Sequence, residues 1–183
     1  MTLRSDAGAR AMSWPVIDRV DRLVRDAVRL LERIPHSFIA LVGRFSIAAV
    51  FWLSGQTKIE GLTIDIVKGT YEFGLPRLDP MAVVLFREEY RLPLLSPELA
   101  AVLASVVETV FPILILLGLA TRFSALALLV MTLVIQFFVY PGAYSTHGVW
   151  AAVLLYLMAR GPGVVSLDHL IAVRLPVAMR PWP

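Results

Sequence analysis

The chain has 183 residues, of which 58% are hydrophobic and only 17% are charged. This composition is too apolar for an ordinary soluble domain, so it predicts an integral membrane protein. The sequence contains no cysteine, which excludes disulfide exchange, thiolate nucleophiles and thiolate-bound clusters within this chain. The formal net charge of +3 is small, and its pattern gives no indication of nucleic-acid binding.

The first 36 residues carry seven arginines and lack the apolar core of a cleavable signal peptide. Within them, residues 14–34 place apolar side chains at helical spacing and charged side chains on the other face. This pattern predicts an amphipathic helix on the cytoplasmic membrane surface. Such a helix either anchors the protein or offers a face to a partner.

Four segments are apolar enough to compete for the bilayer, which needs about 20 residues per helix. They are residues 37–57, 98–120, 123–140 and the shorter 145–159. The predicted fold is therefore all-α, a polytopic membrane protein with a four-transmembrane-helix bundle over residues 37–160. A cytoplasmic segment, 1–36, precedes this bundle, and a cytoplasmic tail, 161–183, follows it.

The distribution of basic residues predicts the orientation, because lysine and arginine are retained on the cytoplasmic side. With the N-terminus inside, eleven basic residues lie inside and five lie outside. We therefore expect a multi-pass protein of the bacterial inner membrane with both termini cytoplasmic.

A connection of about 40 residues, 58–97, follows the first span on the outer side. Connections of this length without function are uncommon. Its densest charge cluster, residues 87–91, is either a solvated face or part of a cap over the outer end of the bundle.

Two ionisable residues, Arg44 and Glu108, interrupt the first and second spans. A charge near the bilayer centre costs roughly 2.5 to 3.5 kcal/mol on insertion scales, so it is tolerated mainly beside a partner. We expect the two to form a buried ion pair, which either fixes helix register or relays protons and polarises a ligand. Pro112 lies four residues after Glu108 and has no N–H to donate to the Glu108 carbonyl, so we expect a kink and a free acceptor beside the acid.

A second polar group is predicted in the outer half of the membrane, at Gln56, Gln136, His147 and Trp150. Amide and imidazole groups among aromatic rings are typical of a site for a flat amphipathic head group, such as a quinone. The alternative is an ordinary interfacial aromatic belt with glutamines that bond between helices. The three histidines are far apart in the sequence, and no metal site is expected.

In the first span, one helix face carries a stripe of residues at spacings of four and three: Arg44, Ala48, Phe51, Gly55 and Lys58. Together with Glu108, the turn at 118–122 and the Gly-Pro-Gly tail at 161–168, this stripe resembles the DoxX family of small bacterial membrane proteins. Ala48 departs from the family pattern, which often has glycine there. The resemblance implies a four-helix membrane bundle, linked in some members to quinone-dependent oxidation of sulfur compounds and in others to stress-response or oxidase complexes.

Two classes of function follow. In the first, the chain is an accessory membrane subunit that binds quinone, uses Glu108 and Arg44 for proton and charge handling, and depends on a partner protein for redox chemistry. In the second, it is a non-catalytic anchor, assembly or small-solute export component, in which Arg44 and Glu108 form a structural pair. Small residues at Ala48 and Gly55 suit helix contact within one copy or between copies of a homo-oligomer.

Overall fold

The computed structural model describes residues 15–65 and 68–174, with side chains described from residue 19 onward. Its helices and strands, in chain order, are α1 (Pro15–Glu32), α2 (His36–Gln56), β1 (Ile59–Asp65), β2 (Thr70–Leu78), α3 (Pro80–Leu85), α4 (Pro97–Leu117), α5 (Thr121–Val134), α6 (Tyr144–Arg160) and α7 (Leu167–Arg174). Short π-helical turns, Phe86–Tyr90 and Ile135–Val139, follow α3 and α5.

The chain divides into two compact units, with the boundary after Pro35. The first contains α1, whose described side chains are exposed and include an ion pair between Arg25 and Asp21. All the other helices and strands belong to the second unit.

Four helices of the second unit pack in a closed ring, in which α2 contacts α4 and α6, and α5 contacts α4 and α6. The core between them is apolar, with Phe51, Ile115, Leu128 and Leu154 almost completely buried. The outward faces of α2, α4 and α5 carry exposed leucine, valine and phenylalanine side chains, as expected for surfaces that contact lipid rather than water.

Three segments of the described residues are long and apolar enough to cross a membrane: His36–Gln56, Pro97–Leu117 and Thr121–Val139. The bounds of each lie within three residues of the span predicted from the sequence. The chain is thus a helical membrane protein. α6 has 17 residues and is shorter than each of these three segments, which have 19 to 21 residues.

An antiparallel β-hairpin of β1 and β2 fills the first half of the long connection, for which no strands were predicted. It is attached to the end of α2, because Trp52 Nε1 donates to the Ile64 carbonyl at 3.0 Å and the Ile64 N–H donates to Gln56 Oε1 at 2.9 Å. We call this end of the bundle, with residues 52–65, 68–97 and 134–150, the hairpin end.

The opposite end, formed by residues 36–44, 115–123 and 157–174, is called the tail end. Here Gly118 caps the end of α4 with a positive φ of 69°. A Cβ atom at this position would lie 2.5 Å from Ser166 Cβ and 3.0 Å from Arg44 Cζ. Asp168 accepts hydrogen bonds from the N–H groups of Ala120 and Thr121, at 2.7 and 2.9 Å, which satisfies unpaired donors at the start of α5. These bonds fix the residues after α6 against the bundle.

Candidate functional site

Glu108 lies in the middle of α4 and forms a buried ion pair with Lys58, just beyond the end of α2. Lys58 Nζ is 2.7 Å from Glu108 Oε2, and each side chain is only 4% exposed. The ammonium also donates to the carbonyl and hydroxyl oxygens of Ser54, both at 3.0 Å. Three acceptors thus match the three N–H donors of the lysine, which is the condition under which a buried charge is tolerated.

Close approach of α2 and α4 creates this pair. A Cβ atom at Gly55 would lie 2.7 Å from the Glu108 carbonyl oxygen and 3.2 Å from Glu108 Cβ, so only glycine fits there. The same carbonyl is the one to which Pro112 cannot donate. The stripe predicted on α2 is buried along its whole length, and its last member, Lys58, reaches Glu108.

The ion pair lines a cavity of about 160 Å³ at the hairpin end. The walls come from α2, α4, α5, α6 and both π-helical turns. Most of the lining side chains are apolar or aromatic, among them Phe51, Phe86, Tyr90, Met131, Tyr140 and Trp150. The described part of the bundle therefore holds one acid and one base beside a small, largely apolar space. Electrostatic interactions are strong in such surroundings.

His147 adds an imidazole to the cavity wall. Its Nδ1 is 2.7 Å from Gln136 Oε1, and Gln136 Nε2 donates in turn to the Pro141 carbonyl at 2.7 Å. Because the amide oxygen can only accept, Nδ1 carries the proton of the neutral ring and Nε2 is the acceptor. The ring also packs against Trp150, with centroids 5.0 Å apart.

Two tyrosines form the side of the cavity nearest the long connection. Tyr140 donates a hydrogen bond to Glu89, and its ring meets the Tyr90 ring edge-on at 5.9 Å. This bond to the carboxylate raises the pKa of the Tyr140 phenol, since it stabilises the protonated form. Burial raises the pKa of Tyr90, and the negative charges of Glu89 and Glu108 act in the same direction.

The predicted ion pair of Arg44 with Glu108 is wrong. Arg44 is buried at the tail end, where Nε and Nη2 donate to the carbonyls of Ile115 and Leu116 at 2.8 and 2.5 Å. Its Nη1 donates to the carbonyls of Pro162 and Val165 at 3.1 and 2.6 Å. The guanidinium thus binds the carbonyl-rich C-terminal end of α4, where the helix dipole favours a cation, and ties it to the tail.

Of the four residues predicted to hold a head group, His147 and Trp150 line the cavity, and Gln136 supports His147. Gln56 instead binds the hairpin backbone at Ile64. Sequence reasoning missed Lys58, which was counted as a charge of the outer connection although its place on the buried stripe was a signal. No group of three or more histidine, aspartate or glutamate side chains with metal-binding geometry occurs within residues 15–65 and 68–174.

Comparisons with known proteins relate the chain to one family. A model of the DoxX family matches residues 39–141, more than half of the chain, and this range contains the Lys58/Glu108 pair and most of the cavity. A search of curated proteins and a search of solved structures each found no match. As the resemblance in the sequence predicted, the chain belongs to the DoxX family.

Proposed function

We propose that this protein is an accessory subunit of the bacterial inner membrane that binds a quinone head group in the hairpin-end cavity and works with a partner oxidoreductase. The observation that carries the proposal is the buried Lys58/Glu108 pair in the wall of an aromatic cavity. A purely structural pair needs no adjoining space, whereas ligand sites combine apolar walls with a few convergent polar groups.

The residues present fit the two oxidation states of such a head group. The Lys58 ammonium is a donor suited to a quinone carbonyl when it exchanges one of its two bonds to Ser54 for the ligand. The Glu108 carboxyl group and His147 Nε2 offer acceptors suited to a quinol hydroxyl. The rings of Phe51, Tyr140 and Trp150 offer apolar faces to a flat ligand. When bound, the quinone supplies the coupled transfer of electrons and protons.

Glu108 is the residue to which we assign proton handling, because its carboxyl group lies in the cavity wall beside the Lys58 ammonium. Gln136 is a positioning residue, because its amide oxygen holds the proton of His147 on Nδ1 and keeps Nε2 as an acceptor. Arg44 was predicted to share this chemistry; we propose an architectural role for it instead, which its bonds to backbone carbonyls support. A chain without cysteine provides no thiolate chemistry, so the electrons are assigned to a partner protein.

The proposed membrane arrangement has four spans, α2, α4, α5 and α6, with both termini in the cytoplasm. Support for α6 comes from its buried Leu154 and Leu157, which share one core with the three longer spans. The distribution of basic residues supports the orientation, because eleven lie in the N-terminal segment, at the turn between α4 and α5 and from the end of α6 onward, against five in the long connection. α1 is assigned to the cytoplasmic membrane surface. The hairpin end and its cavity then face the outer side.

A second candidate function is a non-catalytic anchor, assembly or small-solute export component, alone or as a homo-oligomer. It is favoured by the saturation of both buried cations, since Lys58 and Arg44 already have acceptors for their donors. On this alternative, both residues serve only to hold helices together.

The test is mass spectrometry of lipid-soluble molecules and proteins that remain with the full chain after mild solubilisation from its native membrane. We expect a stoichiometric quinone with the wild-type protein, and loss of that quinone in Glu108→Gln and Gln136→Leu. Thr132→Val is the matched control, because this buried hydroxyl of α5 bonds only to its own helix at Leu128. A protein partner without quinone would overturn the proposal in favour of the second candidate.

A further inference from the structure

A second and larger cavity, of about 540 Å³, lies at the tail end of the bundle. The starts of α2 and α5, the end of α6 and residues 161–172 surround it. It shares no lining residue with the hairpin-end cavity, and the two lie at opposite ends of α2, at His36 and at Lys58. The proposed quinone site therefore does not account for it.

The lining of this cavity is basic. Arg122 and Arg160 contribute guanidinium groups and His36 and His169 contribute imidazole rings, while Asp168 is the single acidic residue among the lining side chains. Both carboxylate oxygens of Asp168 already accept backbone N–H groups at the start of α5. The net field inside the cavity is thus positive, which attracts anions.

Thr121 adds a further polar group to the wall. Its side chain is fully buried, and its hydroxyl has no hydrogen-bond partner in the part of the chain that the structure describes. A buried hydroxyl normally has a partner, and this one is an unpaired polar group in the same wall that holds the two arginines.

The rim of the cavity is apolar. Phe123, Val164 and Ile171 are 64%, 56% and 48% exposed beside the arginines. This rim lies where the apolar spans α2 and α5 begin, at the level at which a membrane-spanning helix meets the lipid head groups. A ligand that combines an anionic group with hydrocarbon chains matches both the interior and the rim.

We propose that the tail-end cavity binds the phosphodiester head group of an acidic phospholipid, with Arg122 and Arg160 as its main contacts. Arginine pairs with phosphate through parallel N–H donors, and basic pockets between membrane helices are suited to anionic head groups. The acyl chains then lie against Phe123 and the outward face of α5. This site is independent of the proposed quinone function.

The test is native mass spectrometry of the full-length protein in detergent, titrated with phosphatidylglycerol or phosphatidylcholine. We expect one phosphatidylglycerol per chain to be retained at least tenfold more tightly than phosphatidylcholine, and this preference to be lost in the double variant R122Q/R160Q. The double variant K68Q/R77Q removes the same charge from exposed residues at the hairpin end and should keep the preference.

Three outcomes would overturn the proposal. One is equal retention of the two lipids by the wild type, and another is equal loss in the two double variants. The third is displacement of phosphatidylglycerol by inorganic phosphate at similar concentration, which would identify a free-phosphate site. If R122Q/R160Q fails to fold, the single variant Arg160→Gln, at an exposed residue, provides the test. We expect it to lose the preference for phosphatidylglycerol over phosphatidylcholine several-fold.

Discussion

The two ends of the bundle bury charge in different ways. At the tail end, Arg44 donates to backbone carbonyls of α4 and of the residues after α6, and none of these four acceptors is a carboxylate. At the hairpin end, Glu108 and Lys58 pair with each other in the wall of a cavity. The first arrangement joins chain segments, whereas the second keeps two ionisable groups beside a space that a ligand can enter. Burial of a charge in a membrane helix thus identifies function only when the surroundings of that charge are known.

The largest expected effect is at the tail end, for Arg44→Met. Removal of the guanidinium leaves four buried or half-buried carbonyls without their donor, so we expect a loss of unfolding free energy on the order of 3 to 5 kcal/mol. Thermal unfolding in detergent measures it. Arg44→Lys is the control and should recover only part of the loss, because an ammonium cannot reach all four oxygens. A wild-type melting temperature for Arg44→Met would contradict the architectural role.

A smaller loss is expected where the helices approach at the hairpin end, for Gly55→Ala. The added Cβ would lie 2.7 Å from the Glu108 carbonyl oxygen, so α2 and α4 must separate, at a cost of about 1 to 3 kcal/mol. The control is Gly148→Ala in α6, where a Cβ meets nothing within 4 Å and stability should stay equal or rise slightly. Equal melting temperatures for both variants would show that the close contact is unimportant.

The smallest effect is on the pH dependence of stability. The pKa of the Tyr140 phenol is raised in the folded protein, so folding favours its protonated form. The stability that this provides is complete below pH 10.0, the unfolded pKa, and is lost as the pH rises above that value. Tyr140→Phe should therefore flatten the alkaline limb of a plot of melting temperature against pH. An unchanged limb would mean that the bond between Tyr140 and Glu89 has no effect on stability.

The sequence predicted the membrane class, the family and the bounds of the long helices, because apolar runs and breakers such as Pro141 are local signals. It also predicted the buried stripe on α2, since helical spacing alone places Arg44 and Lys58 on one face. The partners of those residues were not predictable in the same way. Pairing depends on the relative depth of two helices, which is set by the contact of Gly55 with Glu108.

Two other features could not be predicted from the sequence, for a different reason. Arg44 binds backbone carbonyl oxygens, which every residue possesses, so the residue types do not identify its partners. The β-hairpin lies in a connection where Gly61, Gly69 and Gly74 interrupt the apolar alternation that identifies strands. Its attachment at Gln56 consequently removed that residue from the predicted head-group site.

The most direct measurement is a pair of double-mutant cycles on unfolding free energy, one for Glu108→Leu with Lys58→Met and one for Glu108→Leu with Arg44→Met. Each single variant leaves a buried group unpaired, so each should lose on the order of 3 to 5 kcal/mol. The first cycle should give a coupling energy of at least about 1 kcal/mol, and the second should be additive within about 0.5 kcal/mol. Strong coupling of Glu108 to Arg44, with none to Lys58, would contradict the account.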